Sequence, residues 1–331
     1  AMPTTLYAGL SATYTPTPIY IKTPHPNIEA FGAGLRAYNM GSWEKMIDYM
    51  RQVQTMEPSA ADVSYFIGEG YRKLKRYSEA LEAYNDALRT NPQFAPAYVG
   101  RATILLIKPG QEEDARTDIE EAIRLDDQFA EAYLALAEVD LREGQPQIAL
   151  EQAEKAASIL TQSPLVTWYQ GRAYLALDDY EPALQAADQA LAWDVGYLDA
   201  YRLQGEIYRK LNEWEKSIRP LEIFAAYQED PQVLAWLGEA YARTDNLDEA
   251  ENYFNQALAI NAKLPDVYIL RGNLYLEQEK AELSISDFDK AYQYDKKSYE
   301  AKLGLGRAYL LNDQPGDAYT ALNMAYTLMT T

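Results

Sequence analysis

The sequence predicts an all-α chain, an α-solenoid of antiparallel helix pairs, on three observations. A Gly-x-x-Tyr pair recurs through Gly171/Tyr174, Gly205/Tyr208, Gly238/Tyr241, Gly272/Tyr275 and Gly306/Tyr309, at steps of 34, 33, 34 and 34 residues, with an earlier copy at Gly68/Tyr71. Twelve residues after each glycine comes a small residue that opens an Ala-x3-apolar-x2-Ala-like run, clearest at Ala80/Tyr84/Ala87, Ala250/Phe254/Ala257 and Ser284/Phe288/Ala291. Apolar residues make up 48% of the 331, and Ala, Leu and Tyr dominate them, which favours helix over strand. A fixed period of this length marks stacked repeats, in which each unit contacts only its neighbours.

Within one period the Gly-x-x-Tyr pair lies on a first helix. The three- and four-residue spacings of the Ala run put one stripe on a second helix. Polar turns join the two: Arg76-Tyr77-Ser78, Asp178-Asp179-Tyr180, Asn212-Glu213-Trp214 and Asp245-Asn246-Leu247. Asp, Asn and Ser in these turns are expected to cap the second helix. Residues 1–26 differ. Thr-Tyr-Thr-Pro-Thr-Pro and Lys-Thr-Pro-His-Pro break helices and favour extended backbone. They read either as a tether or as an ordered tail anchored through Tyr7, Tyr14, Ile19 and Tyr20.

Ile67-Gly68, Tyr71, Ala80, Tyr84, Ala87 and Pro92 resemble the tetratricopeptide repeat pattern. In that register nine repeats fall at 27–60, 61–94, 95–129, 130–163, 164–197, 198–230, 231–264, 265–298 and 299–331. The resemblance implies a right-handed superhelix. Small residues at the eighth and twentieth positions allow close helix approach, and the aromatics fill the space between hairpins. Repeat three departs with Ala102 and Leu105 and repeat four with Asp140, while repeat six carries Pro220 inside its second helix. That proline removes the bond to the Lys216 carbonyl and is expected to bend the helix.

Composition excludes several function classes. Thirty Lys and Arg against 50 Asp and Glu give a net charge of −20, which disfavours nucleic acid and anionic membrane partners. There is no cysteine, hence no disulfide, thiolate zinc site or catalytic thiol; this suits export without fixing the compartment. No apolar run is long enough to span a bilayer. No signal-peptide pattern stands at the start, and Ala1-Met2 reads as a cloning remnant. One histidine, His25, sits in the Pro-rich segment and reads as solvated. No catalytic, metal-binding or cofactor-binding constellation emerges. Arg72-Lys73-Leu74-Lys75-Arg76 reads as a helix end whose cations complement the carbonyl dipole.

The resemblance further implies a concave groove lined by the first helices, where a protein or peptide partner would lie. Carried across residue by residue, its positions give Tyr65, Glu69 and Arg72, then Val99, Thr103 and Leu106, then Leu134 and Glu138. The middle repeats give Trp168 and Arg172, then Arg202, Glu206 and Arg209, with Trp236 bordering them; Asn273 follows in repeat eight. Aromatic and Arg side chains are common energetic centres of interfaces, so these arginines read either as an acidic-peptide pocket or as neutralised by Glu206 and Glu239. A second route to partners is self-association, through the N-terminal segment or through Tyr326 and Met329 on a last helix that lacks a polar cap.

Overall fold

A computed structural model describes His25 and residues 29–330; among them there are eighteen helices and no strand. The helices come in nine consecutive pairs. The first five are α1 (Glu29–Asn39) with α2 (Trp43–Met56), α3 (Ala61–Lys73) with α4 (Tyr77–Thr90), α5 (Ala95–Leu105) with α6 (Glu112–Leu125), α7 (Ala130–Arg142) with α8 (Pro146–Ile159), and α9 (Pro164–Ala176) with α10 (Tyr180–Trp193). The remaining four are α11 (Leu198–Lys210) with α12 (Trp214–Tyr227), α13 (Pro231–Arg243) with α14 (Leu247–Ile260), α15 (Pro265–Glu277) with α16 (Ala281–Tyr294), and α17 (Tyr299–Leu311) with α18 (Pro315–Thr330). The chain divides into two compact units between Tyr197 and Leu198, so α1–α10 belong to one and α11–α18 to the other. Tyr7, Tyr14, Ile19 and Tyr20 lie outside the described residues.

The turns within pairs work differently from the expectation. Lys75, Asp178, Asn212 and Asp245 sit at φ of 59°, 59°, 59° and 64°. The next N–H then bonds back to the repeat tyrosine: Arg76 to the Tyr71 carbonyl at 2.8 Å, Asp179 to Tyr174 at 2.9 Å, Asn246 to Tyr241 at 2.9 Å. This left-handed turn closes the first helix. The second helices α4, α10, α12 and α14 begin with no side-chain cap, which corrects the capping expectation. The polar residues are there because Asn and Asp tolerate positive φ. Side-chain caps occur on first helices instead: Ser163 on Val166 N, Asp230 on Gln232 and Val233 N, and Ser298 on Ala301 N.

The small residues set how close the helices lie. Tyr84 is fully buried on α4. A methyl added at Gly68 would stand 2.6 Å from its ring, and one at Gly100 would stand 2.5 Å away, so two glycines flank the aromatic ring. Phe288 on α16 is flanked in the same way by Gly272 and Gly304. Burying each such ring contributes roughly 1.5–3 kcal/mol. The departures also have structural accounts. Asp140, in the tyrosine position, is fully buried on α7 and accepts from Arg116 Nη2 on α6 at 2.7 Å. Pro220 is buried, and α12 runs unbroken through it.

Candidate partner-binding groove

In the unit formed by α1–α10, the first helices of repeats two to five enclose a cleft of about 600 Å³. Its apolar lining includes Val99 and Leu106 from α5, Leu134 from α7 and Tyr169 from α9, with Phe129 just before α7. Leu134 is buried, and Tyr65 is half-buried with its ring 5.7 Å from Phe94 and 6.0 Å from Tyr84. Position along α3 decides the polar side. Residues four or three apart share a helix face, so Tyr65, Glu69 and Arg72 look into one cleft.

Charges within the cleft are mostly matched. Arg72 donates to Glu69 from Nη2 at 2.6 Å and from Nε at 3.2 Å, and the Tyr84 hydroxyl donates to the same carboxylate from behind. Burial alone would push the Glu69 carboxyl up, but the charge and hydrogen bonds of Arg72, with the Tyr84 hydroxyl, hold it below its ordinary value. Arg142 donates to Glu138 at 2.8 Å, and Arg172 from α9 donates to the other oxygen of the same carboxylate. The Arg172 guanidinium also lies over Trp168, 4.7 Å from its centroid, and Trp168 is half-buried.

Two cleft-lining charges, Lys73 and Glu131, make no ion pair with any described residue, although the Lys73 ammonium lies over the Trp43 ring, 5.7 Å from its centroid. Burial, then the charge of Arg72, lowers the Lys73 pKa; burial raises that of Glu131. The helix-end reading of the basic run holds for Arg72 and Lys73, which occupy the last turn of α3 and also line the cleft, whereas Lys75 and Arg76 fall in the turn beyond it.

The other unit holds the remaining predicted residues. Trp236 is buried on α13, with the guanidinium of Arg209 4.9 Å and that of Arg202 5.5 Å from its centroid. Arg209 donates to Glu239 at 2.6 and 3.2 Å, and Arg202 Nε lies 3.8 Å from Asp230. Glu239 thus neutralises one arginine, while Glu206, half-buried on α11, makes no ion pair with any described residue. Asn273 is half-buried on α15.

His25 corrects the sequence reading outright. It is buried, not solvated. Its Nε2 lies 3.0 Å from Asp62, its Nδ1 bonds Glu57, and its ring sits 4.2 Å from that of Phe31. Burial disfavours the charged ring, but the two carboxylates outweigh it and the pKa is raised from 6.5. No local pattern could show this, because Glu57 and Asp62 lie 32 and 37 residues away. Lys73, Phe129, Glu131, Arg142 and Tyr169 also line the cleft without being assigned to it by the sequence reading. Glu131 occupies the second repeat position, and its place in the groove frame was the available signal.

A stack of helix pairs whose first helices enclose a cleft is a helical-repeat scaffold. Models described as "Tetratricopeptide repeat" match residues 61–94, 231–264 and 269–328, so these stretches are tetratricopeptide repeats. It is 26% identical over 169 residues to the TPR repeat-containing protein YpiA of Bacillus subtilis (strain 168), covering 51% of this chain and 40% of that protein. It therefore spans less than half the length of that relative. Among solved structures, the APC/C hetero-tetramer Cut9–Hcn1 superposes with a TM-score of 0.71 at 17% identity, covering 80% of this chain and 52% of the other. The human IFIT1 dimer with PPP-AAAA superposes at 0.62 and 16% identity, covering 90% and 82%. These likenesses show the fold. Among the described residues, no helix is long and apolar enough to cross a membrane.

Proposed function

We propose that the chain is a non-enzymatic protein-interaction scaffold whose cleft on α3, α5, α7 and α9 receives a segment of a partner protein. The cleft itself carries this reading: it offers about 600 Å³ with an apolar floor, and burying apolar side chains is the main favourable term in association. The same geometry argues against a phosphate-bearing ligand of the kind IFIT1 holds. Arg72 and Arg142 are already matched by Glu69 and Glu138, and the chain carries a charge of −20.

The test is cross-link mapping of captured partners. Partner peptides should cross-link to Lys73, and Val99→Glu/Thr103→Arg should abolish those links while an outer-face control, Glu120→Arg, keeps them. Links that persist in the cleft variant, with an unchanged melt, would sink the proposal. A second reading rests on α18, where Tyr319, Tyr326 and Met329 are 74%, 64% and 61% exposed: self-association through that face. Light scattering of Tyr326→Glu/Met329→Glu against the parent discriminates, since only this reading predicts a fall in mass.

A further inference from the structure

The two cleft charges that lack an ion pair among the described residues sit at opposite rims. Lys73 is in the last turn of α3, and Glu131 is in the first turn of α7. First helices of stacked pairs run in the same direction, so Lys73 and Arg142 mark one rim and Glu131 the other. Within α7 alone, Glu131 to Arg142 covers eleven residues, about 16 Å at the helical rise. Between the rims lies the apolar lining of Val99 and Leu134.

From this arrangement we infer that the cleft takes an amphipathic helix of a partner protein, about three turns long, running antiparallel to α3, α5 and α7. It would carry an acidic first turn against Lys73 and a basic last turn against Glu131. The inference rests on the cleft being the partner site and adds the class and direction of the occupant. Two arguments carry it. First, the charge order required is the one helices favour on their own account, acid at the start and base at the end, because it complements the macrodipole. Second, the two second helices of this chain that carry charge at both ends, α4 and α6, pack antiparallel to their first helices with that order: Glu79 opens α4 and Arg89 closes it, while Glu112 opens α6 and Arg124 closes it. A helix running the other way would bring its ordinary basic end to Lys73 and its acidic end to Glu131, and both contacts would repel.

The experiment uses the full chain and two side-chain-stapled Ala/Leu helices of about four turns, identical in composition. One carries glutamates in the first turn and lysines in the last; the other has the reverse order. Fluorescence anisotropy at low ionic strength should give about tenfold tighter binding for the glutamate-first peptide, the sum of two modest ion pairs gained and two repulsions avoided. In Lys73→Glu/Glu131→Lys the preference should invert. Equal binding of the two peptides, or a preference unmoved by the charge swap, overturns the inference, as does failure of both peptides to bind. Thr103→Arg separates the levels. If it abolishes binding that shows no charge order, the cleft stands and the direction falls; if binding survives it, the cleft reading itself falls.

Discussion

Tyr84 offers the sharpest check on how packing and cleft chemistry are joined. Its ring is fully buried between Gly68 and Gly100, and its hydroxyl donates to the buried Glu69 carboxylate that also holds Arg72. Tyr84→Phe keeps the ring and deletes only that bond. A hydrogen bond to a charged group contributes about 1.5–3 kcal/mol; because Glu69 keeps both Arg72 bonds, about 2 kcal/mol is expected. Tyr84→Ala removes the ring as well and should cost about 3–5 kcal/mol for the cavity in addition to the lost bond. For a unit of this size each kcal/mol moves the melting midpoint by roughly 2–4 °C, so Tyr84→Phe should lower it by about 4–8 °C and Tyr84→Ala by well over 10 °C. Circular dichroism melts, with Glu69→Gln and the double variant completing a cycle, provide the assay. The Tyr84→Phe effect should shrink in the Glu69→Gln background, since the hydroxyl then meets a neutral acceptor. A Tyr84→Phe melt matching the parent, or one as low as Tyr84→Ala, would refute the reasoning.

Two other outcomes are expected. Gly100→Ala gains about 1 kcal/mol of helix propensity, but its methyl would stand 2.5 Å from a ring that is fully buried; overpacking of about 1–3 kcal/mol should win, and a higher melting midpoint would contradict it. For His25 the sign follows from its raised pKa, set by burial on one side and by Asp62 and Glu57 on the other. The charged ring is favoured in the fold, so its contribution is full below about 6.5, the unfolded value, and is lost as pH rises through the higher folded value. The melting midpoint should therefore fall with rising pH in the parent and fall less in His25→Gln. Parallel pH profiles would show that the clamp does not titrate as described.

Periodicity made the helix pairs legible because the packing rule is local. Gly68, Gly205, Gly238 and Gly272 each meet the large residue sixteen positions on, Tyr84, Leu221, Phe254 and Phe288, so the spacing within one repeat records the contact. What fills the groove follows a different rule. Glu69, Glu239 and Asn273 hold the same repeat position, but their surroundings differ. Glu69 is gripped by its own helix through Arg72 and from behind by Tyr84; Glu239 turns to Arg209 on the preceding first helix; Asn273 stands where the residue behind is Phe288, which has no hydroxyl to offer. The partners of the paired groove residues thus come from side chains 3 to 34 positions away, and the repeat frame names the position without naming the pairing. The same holds for His25, whose carboxylates come from two elements that its own Pro-rich neighbourhood gives no hint of. Lys73 and Glu131 are informative for this reason. The other cleft-lining charges, Glu69, Arg72, Glu138 and Arg142, are matched by neighbouring charges, whereas these two have no ion-pair partner among the described residues. A charge swap there is the direct test of the proposed helix direction.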